Sequence, residues 1–104
     1  MQHRTLTFAT INVHEFRDTE QTPNTKRLAD LVKSKFQSID FLCLQEVYSS
    51  QQAHWKQIQE ASATLKYSQF CAALPNFGNV IMSRFPIESI QTSVARIGDH
   101  EARA

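Results

Sequence analysis

Apolar and polar positions alternate along this chain at two rhythms, one suited to strands and one to helices. Thr5 to Asn12 reads TLTFATIN. Leu6, Phe8 and Ile11 among threonines predict a strand, because β-branched and aromatic side chains pack well on a pleated surface. Val13 to Thr22 is polar, charged and long for a connection, a type of segment that is often functional in compact domains. Thr22-Pro23-Asn24 signals a helix start, with proline in the first turn and Thr or Asn capping free amides. Leu28, Leu31, Val32, Lys35 and Phe36 then fall at helical spacing, with Lys26, Arg27, Asp30, Lys33 and Ser34 on the other faces, so an amphipathic helix is predicted. Ser38 to Asp40 breaks it. Ile39 and the unbroken run Phe41-Leu42-Cys43-Leu44 predict a strand covered on both faces, ending abruptly at Gln45-Glu46.

The second half changes rhythm again. Ser49 and Ser50 are placed to cap a weaker helix over about Gln51–Ala63, whose thin apolar stripe is Trp55, Ile58 and Ser62. Trp55 reads as a half-buried helix residue. Tyr67 to Ala73 predicts a strand, Leu74 to Gly78 a turn by its Pro, Asn and Gly content, and Asn79 to Ser83 another strand. Arg84-Phe85-Pro86 is a break, with Ser83 and Arg84 fixing the strand end by hydrogen bonds. Ile87 to Arg96 predicts a strand, Ile97 to His100 a turn, and Glu101 to Ala104 the start of a further strand. No internal repeat or low-complexity segment is present. Strand, helix, strand, helix and then three strands place the chain in the α/β or α+β class.

Length and composition narrow this little. With 104 residues the chain is one domain at most, near the low end of what folds comfortably alone. A formal net charge of +1, from 11 basic and 10 acidic residues without a basic run, demands no nucleic-acid partner. Cys43 and Cys71 lie in apolar segments without CxxC spacing and read as buried free thiols, since a scaffold relying on bridges carries more cysteines. No stretch approaches the ~20 apolar residues of a membrane span. Neither signal peptide nor anchor is expected, and an intracellular location follows as the expectation. There is no Ser-His-Asp signature, no His/Cys cluster of zinc type and no glycine-rich phosphate loop; with Gly78 and Gly98 alone a dinucleotide fingerprint is excluded.

Chemistry enters through two strand ends. If the first two strands flank a right-handed βαβ crossover they are parallel, and their C-terminal ends, carrying Asn12 and Glu46, lie where ligands bind in α/β sheets. A carboxylate directly after an apolar strand is paired, neutralised or metal-bound, because burying an unpaired charge is costly. Magnesium fits, being held by one or two carboxylates with waters and substrate phosphate. Asn12 orients a water or phosphate oxygen without adding charge. Spacing alone reads first as Glu46 paired to a nearby Arg or Lys with Asn12 capping a turn, and second as a metal site.

Asn12 within ATINVH, LCLQEV at Leu42–Val47 and GNVIMSRFPI at Gly78–Ile87 resemble, in order and interval, the three N-terminal motifs of the endonuclease/exonuclease/phosphatase superfamily. The resemblance spans essentially the whole chain. It implies a DNase I-like fold, a four-layer sandwich of two β-sheets flanked by helices, present in part over residues 1–104 as the N-terminal portion of the domain. It also implies a hydrolase that cleaves phosphoesters with Mg2+, or Mn2+ in its place, with Glu46 the metal-binding carboxylate and Asn12 a polar active-site residue and companion metal ligand. The metal polarises the phosphoryl group, and a histidine base oriented by an acid activates water. Members act on DNA, RNA, nucleotides, phosphoinositides, sphingomyelin or phosphotyrosyl adducts, so nuclease, phosphodiesterase and phosphatase all stay open for the substrate. The family's later Asp-x-Asn and Ser-Asp-His elements do not occur, and His100 stands in neither. The chain alone is therefore expected to be an inactive fragment; the alternative is a non-catalytic remnant that binds a partner.

Further residues complete the candidates. His14 lies in the loop after Asn12 with Glu15, Arg17 and Asp18; the loop reads first as solvated and these four residues as substrate contacts second, His14 foremost among them. Gly78-Asn79 serves the backbone, glycine by permitting an unusual φ and Asn79 by supporting the turn, with a reach to the active-site rim as the functional alternative for Asn79.

Overall fold

The computed structural model describes residues 5–88, 94–97 and 100–103, the last two segments by their backbone. Four strands form one sheet: β1 (Phe8–Asn12), β2 (Phe41–Tyr48), β3 (Tyr67–Leu74) and β4 (Phe77–Ser83), in the order β1-β2-β4-β3. β1 and β2 are parallel, with Phe8 opposite Phe41 and Asn12 opposite Gln45; the other pairings are antiparallel. The crossover between the parallel strands carries helix α1 (Thr25–Lys35), and α2 (Gln52–Glu60) joins β2 to β3. A separate antiparallel pair comprises β5 (Val94–Ile97) and β6 (His100–Arg103). Among the described residues no helix is long and apolar enough to cross a membrane.

The core lies between one sheet face and the two helices. Leu42, Leu44, Val47, Val80 and Met82 from the sheet meet Val32 of α1, Trp55 and Ile58 of α2, and Val13, Phe16, Ile39 and Leu65 from the connections. Leu42, Leu44, Ile58 and Met82 are fully buried, and each such side chain contributes about 1.5–3 kcal/mol relative to exposure. Trp55 is buried rather than half-buried and stacks on Phe70, centroids 5.8 Å apart. The opposite face holds Phe41, Cys43 and Ile81 at intermediate burial and Phe8 at 67% exposure. The apolar run of β2 is thus fully covered on one side and partly covered on the other by the described residues.

Several local expectations change. β2 continues past Leu44 to Tyr48 through an irregularity between Leu44 and Val47. Its hairpin partners turn more tightly than expected, through Pro75-Asn76, with Asn76 left-handed at φ 60°. Neither helix is capped by the expected side chains. Asn24 precedes α1 but sends its amide to the Val13 carbonyl, 3.1 Å away, and Ser49 bonds Asn76 across the hairpin. Gly78 does not use an unusual φ. Its role is close approach: a Cβ there would collide with the Cys71 carbonyl oxygen and lie 2.9 Å from the Ala73 nitrogen. Both cysteines are free. Ser83 and Arg84 do secure the strand end: Ser83 Oγ accepts from the Phe85 amide, and Arg84 Nε sits 2.7 Å from the buried Asp40 carboxylate. Ile87 and Glu88 are not in a strand; residues 89–93 of that expected strand, Gly98 and Asp99 of the following turn and Ala104 lie outside the described residues.

Candidate functional site

Asn12 closes β1 and Glu46 lies near the end of β2, so the parallel pairing brings them together. The Asn12 side-chain amide donates to Glu46 Oε2. Its other end, Oδ1, accepts the His14 backbone N–H at 3.0 Å, an Asx turn that bends the chain out of the strand. Asn12 therefore both caps a turn and holds the acid. Val13 keeps one more rung of the parallel ladder, its N–H bonded to the Gln45 carbonyl at 3.1 Å.

Glu46 occupies a β-bulge. Leu44 faces Val80 and Val47 faces Gly78, so Gln45 and Glu46 together oppose the single residue Asn79. Glu46 takes φ 60°, a left-handed conformation that costs a residue bearing a Cβ about 1–2 kcal/mol. Strain of this kind persists where the surroundings over-determine it, commonly at functional sites. Asn79 is half-buried on the sheet face away from the helices, opposite the bulge and outside the cleft described next.

A cleft of about 250 Å³ opens beside Glu46, lined by His14, Glu15, Arg17, Asp18, Thr19 and Gln21 from the long loop. His14, Glu15 and Phe16 all have positive φ, 50°, 59° and 60°, forming a left-handed turn closed by the Phe16 and Arg17 amides bonding to Val13 and His14 carbonyls. This turn swings His14 Nδ1 to 3.9 Å from Glu46 Oε2, with the imidazole 69% and the carboxylate 36% exposed. Phe16 anchors the turn from below, buried and stacked on His54, whose Nδ1 lies 2.7 Å from Thr25 Oγ1.

The three acids of the cleft differ in what they already hold. Asp18 accepts the Thr22 and Glu20 amides at 2.9 Å each and faces Arg27 at 3.6 Å; the Thr22 amide chiefly, with those partners, holds its carboxyl below the usual range. The charge of Glu15 lies near Tyr48 and pushes its phenol up. Glu46 is held by a neutral amide and an exposed imidazole, which leaves lone pairs free toward the cleft. One carboxylate with a neighbouring carboxamide suits a hydrated, oxygen-seeking cation such as magnesium. Among the described residues no three His, Cys, Asp or Glu side chains gather as a complete metal cage, so waters and substrate would complete the shell.

Sequence reasoning overlooked Gln51 and Tyr48. Gln51 Oε1 accepts the Tyr48 amide at 2.8 Å and Gln51 Nε2 donates to the Glu15 carbonyl at 2.9 Å. The available signal was a capping-box spacing, glutamine three residues after the cap, hidden because the cap is Tyr48 rather than a serine.

No curated protein and no solved structure matches the chain significantly. The model of the Endonuclease/Exonuclease/phosphatase family matches residues 9–104, and all three motifs singled out in the sequence fall within it. A match over nearly the full length, on a mixed sheet whose parallel strands bring Asn12 and Glu46 together, shows that the chain belongs to the endonuclease/exonuclease/phosphatase family, with its DNase I-like fold.

Proposed function

We propose that this protein is a metal-dependent phosphoester hydrolase of the phosphodiesterase, nuclease or phosphatase type, with Glu46 as carboxylate ligand and Asn12 beside it, for Mg2+ or Mn2+. The observation that carries this reading is the contact of Asn12 with Glu46 across two parallel strand ends, with Glu46 held in a strained bulge at a cleft. Asn12 fixes the orientation of the carboxylate by donating one hydrogen bond to it. Arg17 on the cleft wall attracts a phosphate dianion or diester to the same mouth, and His14 is assigned to substrate contact. A divalent cation bound there supplies Lewis-acid polarisation of the phosphoryl oxygen.

Mn2+ titration followed by NMR tests the site. Expected is selective broadening of the Asn12 side-chain amide and the Val47 backbone amide, reversed by excess Mg2+ and lost in Glu46→Gln. Broadening that survives this substitution would show that the cation sits elsewhere. Glu46→Gln lowers Mg2+-dependent hydrolysis of bis(p-nitrophenyl) phosphate by orders of magnitude. A second reading, a non-catalytic partner-binding protein, draws support from the lack of Asp-x-Asn and Ser-Asp-His elements in these 104 residues; on that reading Mn2+ broadens nothing near Glu46.

A further inference from the structure

The left-handed turn that carries His14 is an expensive piece of backbone. Three successive residues with a Cβ sit at positive φ, each costing about 1–2 kcal/mol, so the turn holds only if something outside it ties it down. Phe16 is the lower anchor, buried against His54. The upper anchor is Gln51. Its single amide group spans two elements: Oε1 accepts the Tyr48 N–H at 2.8 Å, at the end of β2, and Nε2 donates to the Glu15 carbonyl at 2.9 Å, in the middle of the turn. Tyr48 is two residues beyond Glu46, and Glu15 is one beyond His14.

We infer that Gln51 is a positioning residue, a strap that fixes the His14 turn against the strand bearing Glu46 and so sets the width of the cleft between imidazole and carboxylate. It touches neither substrate nor cation. Only a side chain with donor and acceptor on one planar group meets both demands, since the Tyr48 N–H needs an acceptor and the Glu15 carbonyl a donor. Glutamate at this position keeps the first bond and turns an oxygen toward the Glu15 carbonyl, while methionine of similar length keeps neither. The inference rests on the proposed cation site for its chemical meaning, but the strap itself can be read without metal.

The test is amide hydrogen exchange on the parent chain, Gln51→Glu and Gln51→Met. The expected result in both variants is at least tenfold faster exchange at Phe16 and Arg17, with Leu42 and Leu44 in the sheet unchanged. Exchange at Phe16 and Arg17 within twofold of the parent in both variants overturns the strap. Acceleration in Gln51→Glu alone overturns it too, by showing that added charge was the cause. The positional readout is Mn2+ broadening of the His14 imidazole relative to the Asn12 side chain. In Gln51→Met the Asn12 broadening persists and the His14 broadening falls at least fivefold; undiminished His14 broadening overturns the positioning role. Failure of Mn2+ to broaden Asn12 in the parent chain refutes the cation reading, and the metal-free exchange rates then decide the strap alone.

Discussion

Replacing Glu46 by alanine and by glycine removes the same carboxylate and leaves different backbones. Both variants lose the hydrogen bond from Asn12 and the contact with His14, so their difference in stability isolates the bulge conformation. At φ 60° alanine retains a Cβ facing the following carbonyl, a penalty of about 1–2 kcal/mol. Glycine escapes that penalty but has a more disordered unfolded chain, which offsets about 0.4–1 kcal/mol of the gain. The net expectation is that Glu46→Gly is more stable than Glu46→Ala by about 1 kcal/mol, equivalent to roughly 4–8 °C in melting temperature for a chain of this size. Urea unfolding followed by far-UV circular dichroism measures the difference directly, provided the two slopes agree. Glu46→Ala at or above Glu46→Gly in stability would refute the argument that the bulge stores strain at this residue. The ordering should be independent of cation binding, which both variants lose alike.

Four other perturbations probe the frame around the site. Gly78→Ala drives a methyl into the β3 backbone at Cys71 and Ala73 and should cost at least about 1–3 kcal/mol by denaturant unfolding; a neutral result would contradict the close approach. Asp40→Ala strips the acceptor from the Thr7 amide and hydroxyl and the partner from Arg84, for an expected loss of roughly 3–5 kcal/mol, whereas a loss below about 1 kcal/mol would place that cluster in solvent. Asp18 has its folded pKa below the ordinary 3.8, so the stability it lends the loop is present above the unfolded value and is lost as pH falls through the lower folded one; Glu20 and Thr22 amide shifts in an acid titration should show a midpoint below 3.8, and a midpoint at or above it would refute this. Burial pushes both thiols up, Cys43 further by the neighbouring Cys71, so a thiol-disulfide reagent at neutral pH should react slowly with the folded chain and fast in urea, with equal rates as the contrary outcome.

Much of this architecture was legible in the residues. The helical spacing of Leu28, Val32 and Phe36 and the apolar run Phe41–Leu44 define α1 and the start of β2, because side-chain periodicity follows directly from which face is buried. The meeting of Asn12 and Glu46 followed from parallel strands joined by a crossover. Loop detail did not, since it depends on contacts remote in sequence. No local preference announces that His14, Glu15 and Phe16 turn left-handed; Phe16 is drawn down by His54 and Glu15 is strapped by Gln51, 38 and 36 residues away in the chain. The caps were misplaced for the same reason, with Asn24 and Ser49 spent on tertiary partners instead of helix ends.

The end of β2 shows how one irregularity converts a core strand into a site. Leu42 and Leu44 point into the core, so strict alternation would send Glu46 inward after them, and a charge buried without a partner is costly enough to end the strand. That conflict is why the sequence reads as a strand stopping at Leu44. The bulge resolves it without stopping. One extra residue shifts the alternation by one, and a shift of one residue exchanges the faces of everything beyond it. Val47 therefore takes the buried position, fully covered, while Glu46 turns out toward Asn12 and the cleft. Gly78, the register partner of Val47, lies against the β3 backbone at Cys71 and Ala73, where no side chain could fit. The LQEV segment thus supplies both the acid and the residue that replaces it in the core, while GNV opposes it in register and packs closely against β3. The strain at Glu46 is offset by core burial of Val47, which ties the placement of the carboxylate to the stability of the sheet itself.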